Sequence, residues 1–354
     1  MTSWAVRQIP NSCQKGDKAM TNDSGRVSSS TVVRRALVGV GALLMLCAVL
    51  GASAADYPTR PLKIVVPFPP GGTVDVLARA IAAQLGESLK QSVIVEPHPG
   101  AGGTIGAAFV AKSAPNGYTL LLTLRSLAIS PSVVANLPFD PARDFEPITQ
   151  VESTYWIFCA TPSLPAKTFK EVMALAKSRP GGLNYAGTGI GGDNHLTMEQ
   201  LQKATGIRLT QVPYNGGGPA LVALLGGQVD IMLVPGALAV PYIKSGRVRP
   251  IAILGSSRAP SLADVPTLTE EGVAGFEGGS WTALFAPKGT PESIVLLLNA
   301  EVRKIVERNR ETGTMFIDGI QVPQGSTPEA LGATLREDVT RWGRLARELG
   351  IKPE

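Results

Sequence analysis

Two histidines and three cysteines in 354 residues leave little material for metal or nucleophilic chemistry. Cys13 and Cys47 fall in the first 54 residues, so Cys159 stands alone in the rest of the chain and no disulfide can form within that part. It follows Tyr155, Trp156, Ile157 and Phe158, the setting of a buried strand thiol rather than a nucleophile. His98 and His195 lie far apart, no Cys or His cluster has metal-ligand spacing, and there is no G-x-S-x-G elbow. No metal and no cofactor is implied. Aromatic residues, 5% of the chain, disfavour a sugar cleft built on stacking, although four Trp and six Tyr could flank an aromatic acid. A basic run with interleaved aromatics is missing too, which excludes the usual nucleic-acid footprint.

What is there begins with core material: 44% hydrophobic residues give enough for about two domains, so disorder and a small disulfide scaffold are ruled out. The formal charge of +5 invites a polyanion partner until its location is considered. Residues 1–54 hold six of the 33 basic and two of the 28 acidic residues, so the remainder carries 27 and 26, a net +1. That first segment reads as an export signal: Arg34-Arg35, an uncharged apolar stretch over 36–50, then Ala52-Ser53-Ala54, the small-x-small pattern of a cleavage site. Cleavage after Ala54 predicts a periplasmic protein. An uncleaved anchor is the alternative, opposed by Gly39, Gly41 and Gly51 within the run. The head before Arg34 is long for a signal, which makes Met20 an alternative start; the Sec and Tat routes both stay open.

From Leu62 the chain alternates short β-branched runs with helical periodicity. Strands are expected at 62–68, 93–95, 118–122, 183–186, 209–212, 228–234, 248–254 and 281–286. Helices are expected from 73 (Val74, Leu77, Ala78, Ile81, Ala82 and Leu85 in phase), over 105–113, 169–177, 194–204 and 219–225, and as two long amphipathic segments, 291–309 and 328–349. Thr73 and Asn194 are placed to cap their helices, and Pro291 and Pro328 to open theirs. Such alternation means parallel α/β sheet, here twice.

A glycine-rich turn recurs between strand and helix: Pro70-Gly71-Gly72-Thr73, Gly189 to Asn194, and Asn215-Gly216-Gly217-Gly218. Glycine leaves backbone N–H groups uncovered, and the first N–H groups of a helix lack internal partners, so such ends attract anions or are merely tight turns. Gly187, Gly189 and Gly192 also spell G-x-G-x-x-G, but the strand that follows ends in Val212-Pro213-Tyr214-Asn215 without the acid a dinucleotide site needs. His195 reads as a helix-start residue or as a donor to a ligand oxygen, and Asp75 as a first-turn acid or as an acceptor for a ligand. His98, between two prolines, reads as a solvated turn residue.

Several motifs, FPPGGTVD at 68–75, PGAGG at 99–103, NGYTLL at 116–121, VPY at 212–214, GGQVD at 226–230, DVPT at 264–267 and APKGTP at 286–291, occur in that order. Together they resemble the substrate-binding receptors of tripartite tricarboxylate transporters, the Bug receptors, from about Tyr57 to the C-terminus. The resemblance implies an α/β, two-lobed type II periplasmic-binding-protein fold with a ligand cleft between the lobes. One lobe would comprise 55–153 and 261–354 and the other 154–260, hinging near 150–158 and 252–262. It implies a small carboxylic acid held largely by backbone N–H groups and water, with Phe68, Pro70, Gly71, Gly72, Thr73, Asp75 and Ser126 on one side. Thr188, Gly189, Gly191, Gly192, His195, Asn215, Gly216 and Gly217 would face them.

It also implies delivery to membrane permease subunits by a monomeric receptor that is no enzyme and binds no nucleic acid. A sensing subunit for a membrane kinase would look the same in sequence, and an exported enzyme using His195 and Asp75 is a further alternative. The chain departs from the family at Pro97-His98, often Asn-Arg; at Asn116, often an acid; and at Asn215, commonly Lys. Losing a charge at Asn215 directs attention to Arg125, which either pairs with a distal ligand carboxylate or is simply exposed.

Overall fold

The structure, a computed structural model, describes residues 57–353 apart from 190, 191, 215, 256, 274, 275, 277, 314 and 317–319. The expected leader of 1–54, with its expected cleavage site after Ala54, lies outside the described residues.

Strand β1 (Leu62–Val66) leads through a glycine turn into α1 (Thr73–Leu89); β2 (Val93–Pro97) into α2 (Thr104–Ala111); and β3 (Thr119–Leu124) into α3 (Ser126–Val133). The strand β4 (Phe145–Ala160) is followed by α4 (Phe169–Ser178), β5 (Asn184–Gly187), α5 (Asp193–Thr205), β6 (Thr210–Pro213), α6 (Gly217–Leu225), β7 (Ile231–Pro235), α7 (Gly236–Lys244) and β8 (Arg249–Leu254). The chain ends with β9 (Gly279–Pro287), α8 (Glu292–Thr312), β10 (Gln321–Pro323) and α9 (Pro328–Glu348).

β4 organises the molecule. Its 16 residues run roughly 50 Å at the usual rise per strand residue. From Phe145 to Tyr155 it lies antiparallel to β9, which pairs with β3, which is parallel to β1 and so to β2. From Trp156 to Ala160 it lies between β7 and β8, and β7 and β6 flank β5 in parallel. One strand thus serves two half-sheets. Its side chains alternate as the pleat requires: Trp156, Phe158 and Ala160 join the core under α4 and α5, whereas Ile157 and Cys159 join the core under α6 and α7.

The first half-sheet is likewise covered on both faces, by α1 and α8 against Leu62, Ile64 and Val66, and by α2 and α9 against Val65, Leu121 and Phe285. The return from β8 to β9 packs with the second half: Ala259, Leu262 and Val265 on one face, Leu268 and Phe276 on the other.

Helix starts differ from expectation in three places. Gly72 and Gly192, not Thr73 and Asn194, are the N-caps of α1 and α5, and neither supplies a side-chain bond. Pro291 is an N-cap outside α8, while Pro328 does open α9. Two helices without a sequence signal, α3 and α7, each contain a proline, Pro131 and Pro241. In α3 the Ser130 hydroxyl donates to Leu127 O at 2.8 Å, serving the carbonyl that the missing Pro131 N–H would have served.

Candidate functional site

Parallel strands present their C-terminal ends together, and the loops that leave those ends carry the glycines. After β1, Pro70, Gly71, Gly72 and Thr73 are exposed and Phe68 is half-buried. Gly71 has φ +79°, a left-handed conformation that a side chain would strain, and its N–H donates to Asp75 Oδ2 at 3.0 Å. Arg79 donates from Nε to Asp75 Oδ2 and from Nη2 to Asp75 Oδ1, both at 3.0 Å. The Arg79 bonds, aided by Gly71, hold the buried Asp75 carboxyl below its ordinary range although burial opposes them. Asp75 therefore ties the turn to the first helical turn and remains ionised.

The helices α1, α5 and α6 all begin after a glycine, Gly72, Gly192 and Gly216, which supplies no side-chain cap to the first amides. A Cβ built on Gly71, Gly189, Gly216, Gly217 or Gly218 would meet nothing within 4 Å. Open space stands in front of these backbones. Gly191 and Asn215, also expected at the site, lie outside the described residues.

A continuous set of contacts links the loops. Phe68 packs so closely on the turn after β2 that a Cβ on Gly103 would sit 3.4 Å from its ring, and that turn packs on α3. Ser126 is the first residue of α3, and Arg125 before it reaches the start of α5, donating to Asp193 Oδ1 from Nε at 3.1 Å and from Nη2 at 2.5 Å. Arg125 is buried and its Cζ lies 4.6 Å from the centre of the Trp342 ring, so it is neither exposed nor left for a ligand carboxylate. The sequence had no signal for this partnership beyond the presence of an acid in a first helical turn. Asn194 donates to Leu233 O at 2.7 Å, fixing α5 to β7, and Tyr214 N donates to Gly187 O at 2.8 Å, joining the loops after β5 and β6. That bond joins the loop that carries Thr188, Gly189 and Gly192, ahead of His195, to the one that carries Gly216 and Gly217.

His195 is largely buried, and that burial holds its imidazole below the usual value of 6.5, with the Glu199 carboxylate 3.8 Å away acting in the opposite sense. It is neutral at neutral pH. Glu199 Oε1 also accepts from Tyr185 at 3.1 Å and Gln202 at 2.6 Å. His98 is not a solvated turn residue: its Nε2 lies 2.7 Å from Glu96 Oε1, its ring stacks 4.5 Å from Phe109, and Lys63 binds the other Glu96 oxygen at 2.9 Å. Burial pushes the Cys159 thiol far up, which removes it as a nucleophile. Among the described residues no group of His, Cys, Asp and Glu could hold a metal ion, and no helix is long and apolar enough to cross a membrane.

The model of the family described as tripartite tricarboxylate transporter family receptor matches residues 77–351. Protein BugT of Bordetella pertussis (strain Tohama I) is 36% identical over 323 residues, covering 90% of this chain and 98% of BugT. Of solved structures, R. palustris Rpa4515 with adipate is 34% identical over 84% of this chain and 100% of its own, with a TM-score of 0.78. MatC from Rhodopseudomonas palustris with bound malate is 34% identical over 82% of this chain and 100% of its own, with a TM-score of 0.73. The fold is the two-lobed α/β fold of periplasmic solute-binding proteins, and these proteins bind solutes rather than transform them. This chain belongs to the tripartite tricarboxylate transporter family receptors.

Proposed function

We propose that the protein is an extracytoplasmic receptor that binds a small organic carboxylate in the cleft between its lobes and hands it, as a monomer, to the membrane subunits of a tripartite transporter. The observation that carries this reading is the set of three glycine-capped helix starts, at α1, α5 and α6, with open space at Gly71, Gly189 and Gly216 to Gly218 in the loops that lead into them. Each such end contributes about 0.3–1 kcal/mol toward an anion when exposed and up to about 2 kcal/mol when partly buried. Three together supply a useful share of the roughly 8 kcal/mol of a micromolar complex. The relatives with adipate and with malate support the ligand class. In this reading the leader of 1–54 is removed on export, and the ligand lies among Phe68 to Asp75, Ser126, Thr188 to His195 and Asn215 to Gly217.

We place the lobes on the two half-sheets. β4 changes partners between Tyr155 and Trp156, which supports one crossing there, and the return between β8 and β9 forms the other. Calorimetry on protein refolded free of ligand, titrated with malate, adipate and a panel of monocarboxylates, is expected to find at least one micromolar binder. Silence across the panel from folded protein overturns the carboxylate reading.

A further inference from the structure

Arg125 follows β3, in the first half-sheet, and Asp193 opens α5, which follows β5 in the second. Their ion pair therefore crosses from one half of the molecule to the other. It is also shielded, with side-chain exposures of 8% and 11%. Arg125 is fixed on its own side: its backbone N–H donates to Trp281 O at 3.2 Å, its guanidinium lies over Trp342, and Trp281 in turn donates to Asp338 Oδ2 at 2.7 Å. Asp193 is fixed on the other by the Asn194 bond to β7.

The pair does not act alone. One turn along α5, Leu196 is fully buried among Ile129 of α3 and Trp342 of α9. At the far end of the helix Lys203 Nζ lies 2.6 Å from Glu348 Oε2. A helix of the second half is thus seated along a helix of the first, with an inner ion pair, an apolar plug and an outer ion pair.

We propose that Arg125 is a positioning residue whose pairing with Asp193 latches the two lobes together in the absence of ligand and sets the first turn of α5 in place. Physical reasons favour charge over grease at this point. Two N–H donors converging on one oxygen impose a register that an apolar contact does not. A buried pair contributes little net stability against an apolar substitute, because burial withdraws both ions from water. Opening the lobes returns both ions to water, so the contact can form and break reversibly. Both donors go to Oδ1, and the Ser280 hydroxyl beside the Asp193 carboxyl also favours its charged form, against burial and the nearby Asp338. This inference rests on the two-lobed division and not on the carboxylate reading.

The test places spin labels at Val76→Cys and Val222→Cys, one on each half and 60% and 67% exposed, in protein that starts at Ala55 and so lacks Cys13 and Cys47, with Cys159 fully buried and out of reach of the label. Pulsed electron spin resonance on ligand-free protein is expected to give one short, dominant distance. Asp193→Asn or Arg125→Met each leaves a partner unpaired and lowers the melting temperature. The double variant Arg125→Met/Asp193→Asn removes both charges and should regain most of that melting temperature while its labels shift to a longer distance. A folded double variant with the distances of the unmutated protein overturns the latch and leaves a purely structural pair. So does an unmutated, ligand-free protein whose labels already sit at the longer distance, a result that needs no variant to fold. Failure to bind any carboxylate would leave both distance measurements standing.

Discussion

Gln321 of β10 donates to Glu152 Oε2 at 2.6 Å, and Thr282 of β9 donates to Glu152 Oε1 at 2.9 Å, so three strands meet on one buried carboxyl where β4 approaches its change of partners. Burial pushes this carboxyl above its ordinary 4.5, and the two neutral donors only partly offset it. A group raised on folding holds its proton more tightly in the folded state. Stability is complete below the ordinary value and declines as pH climbs through the raised one.

Glu152→Gln should therefore flatten the pH dependence. Melting temperatures of the two proteins are expected to agree near pH 4.5 and to diverge upward, with the variant the more stable at pH 8. A difference of 1 kcal/mol corresponds to roughly 2–4 °C for a domain of 150–250 residues. Parallel melting curves from pH 5 to 8 would show that Glu152 keeps its ordinary titration.

The glycines before the open space separate binding from folding. Gly72 has φ −75°, and a Cβ there would stand 3.4 Å from Pro69 O, an ordinary contact; Gly217 has nothing within 4 Å. Gly72→Ala and Gly217→Val should leave the fold intact while filling the space a ligand needs. An affinity loss of at least tenfold, about 1.4 kcal/mol, is expected by calorimetry with the melting temperature nearly unchanged. Gly71→Ala should instead lower the melting temperature, since its φ of +79° does not suit a side chain. Unaltered affinity in the first two would reduce these loops to turns.

How much of this was legible from residues alone follows from what each element depends on. β1 and α1 were visible because the apolar period switches from two to 3.6 across Gly71 and Gly72. Of β4 only the end at 155–159 was, as the strand around Cys159, since Glu146, Pro147, Gln150 and Glu152 interrupt the apolar pattern of the rest and two register shifts against β9 break its period. α3 and α7 were hidden by their internal prolines, which sequence reasoning treats as breakers. The glycine loops of the site were legible as local chemistry. The Arg125 to Asp193 pair, 68 positions apart, depends on how two half-sheets are set against each other, and no local rule carries that.

His195 gives a prediction about charge at the site. Burial holds its imidazole below 6.5, so at neutral pH a ligand bound against this ring would meet a neutral N–H donor, not a cation. A histidine depressed on folding contributes stability that is present above its unfolded value and is lost as pH falls through the lowered one. Affinity for a carboxylate should then be flat from pH 8 to 6.5. Were the imidazolium the binding form, affinity would rise up to tenfold for each unit of falling pH over that range. His195→Asn, which keeps a donor, is expected to stay within a few-fold of the unmutated protein, and His195→Leu to bind at least fivefold more weakly at every pH. Titrations at four pH values with all three proteins check both statements. A rise in affinity toward pH 6.5 that vanishes in His195→Asn would make the His195 imidazolium the binding form and overturn the neutral-donor reading.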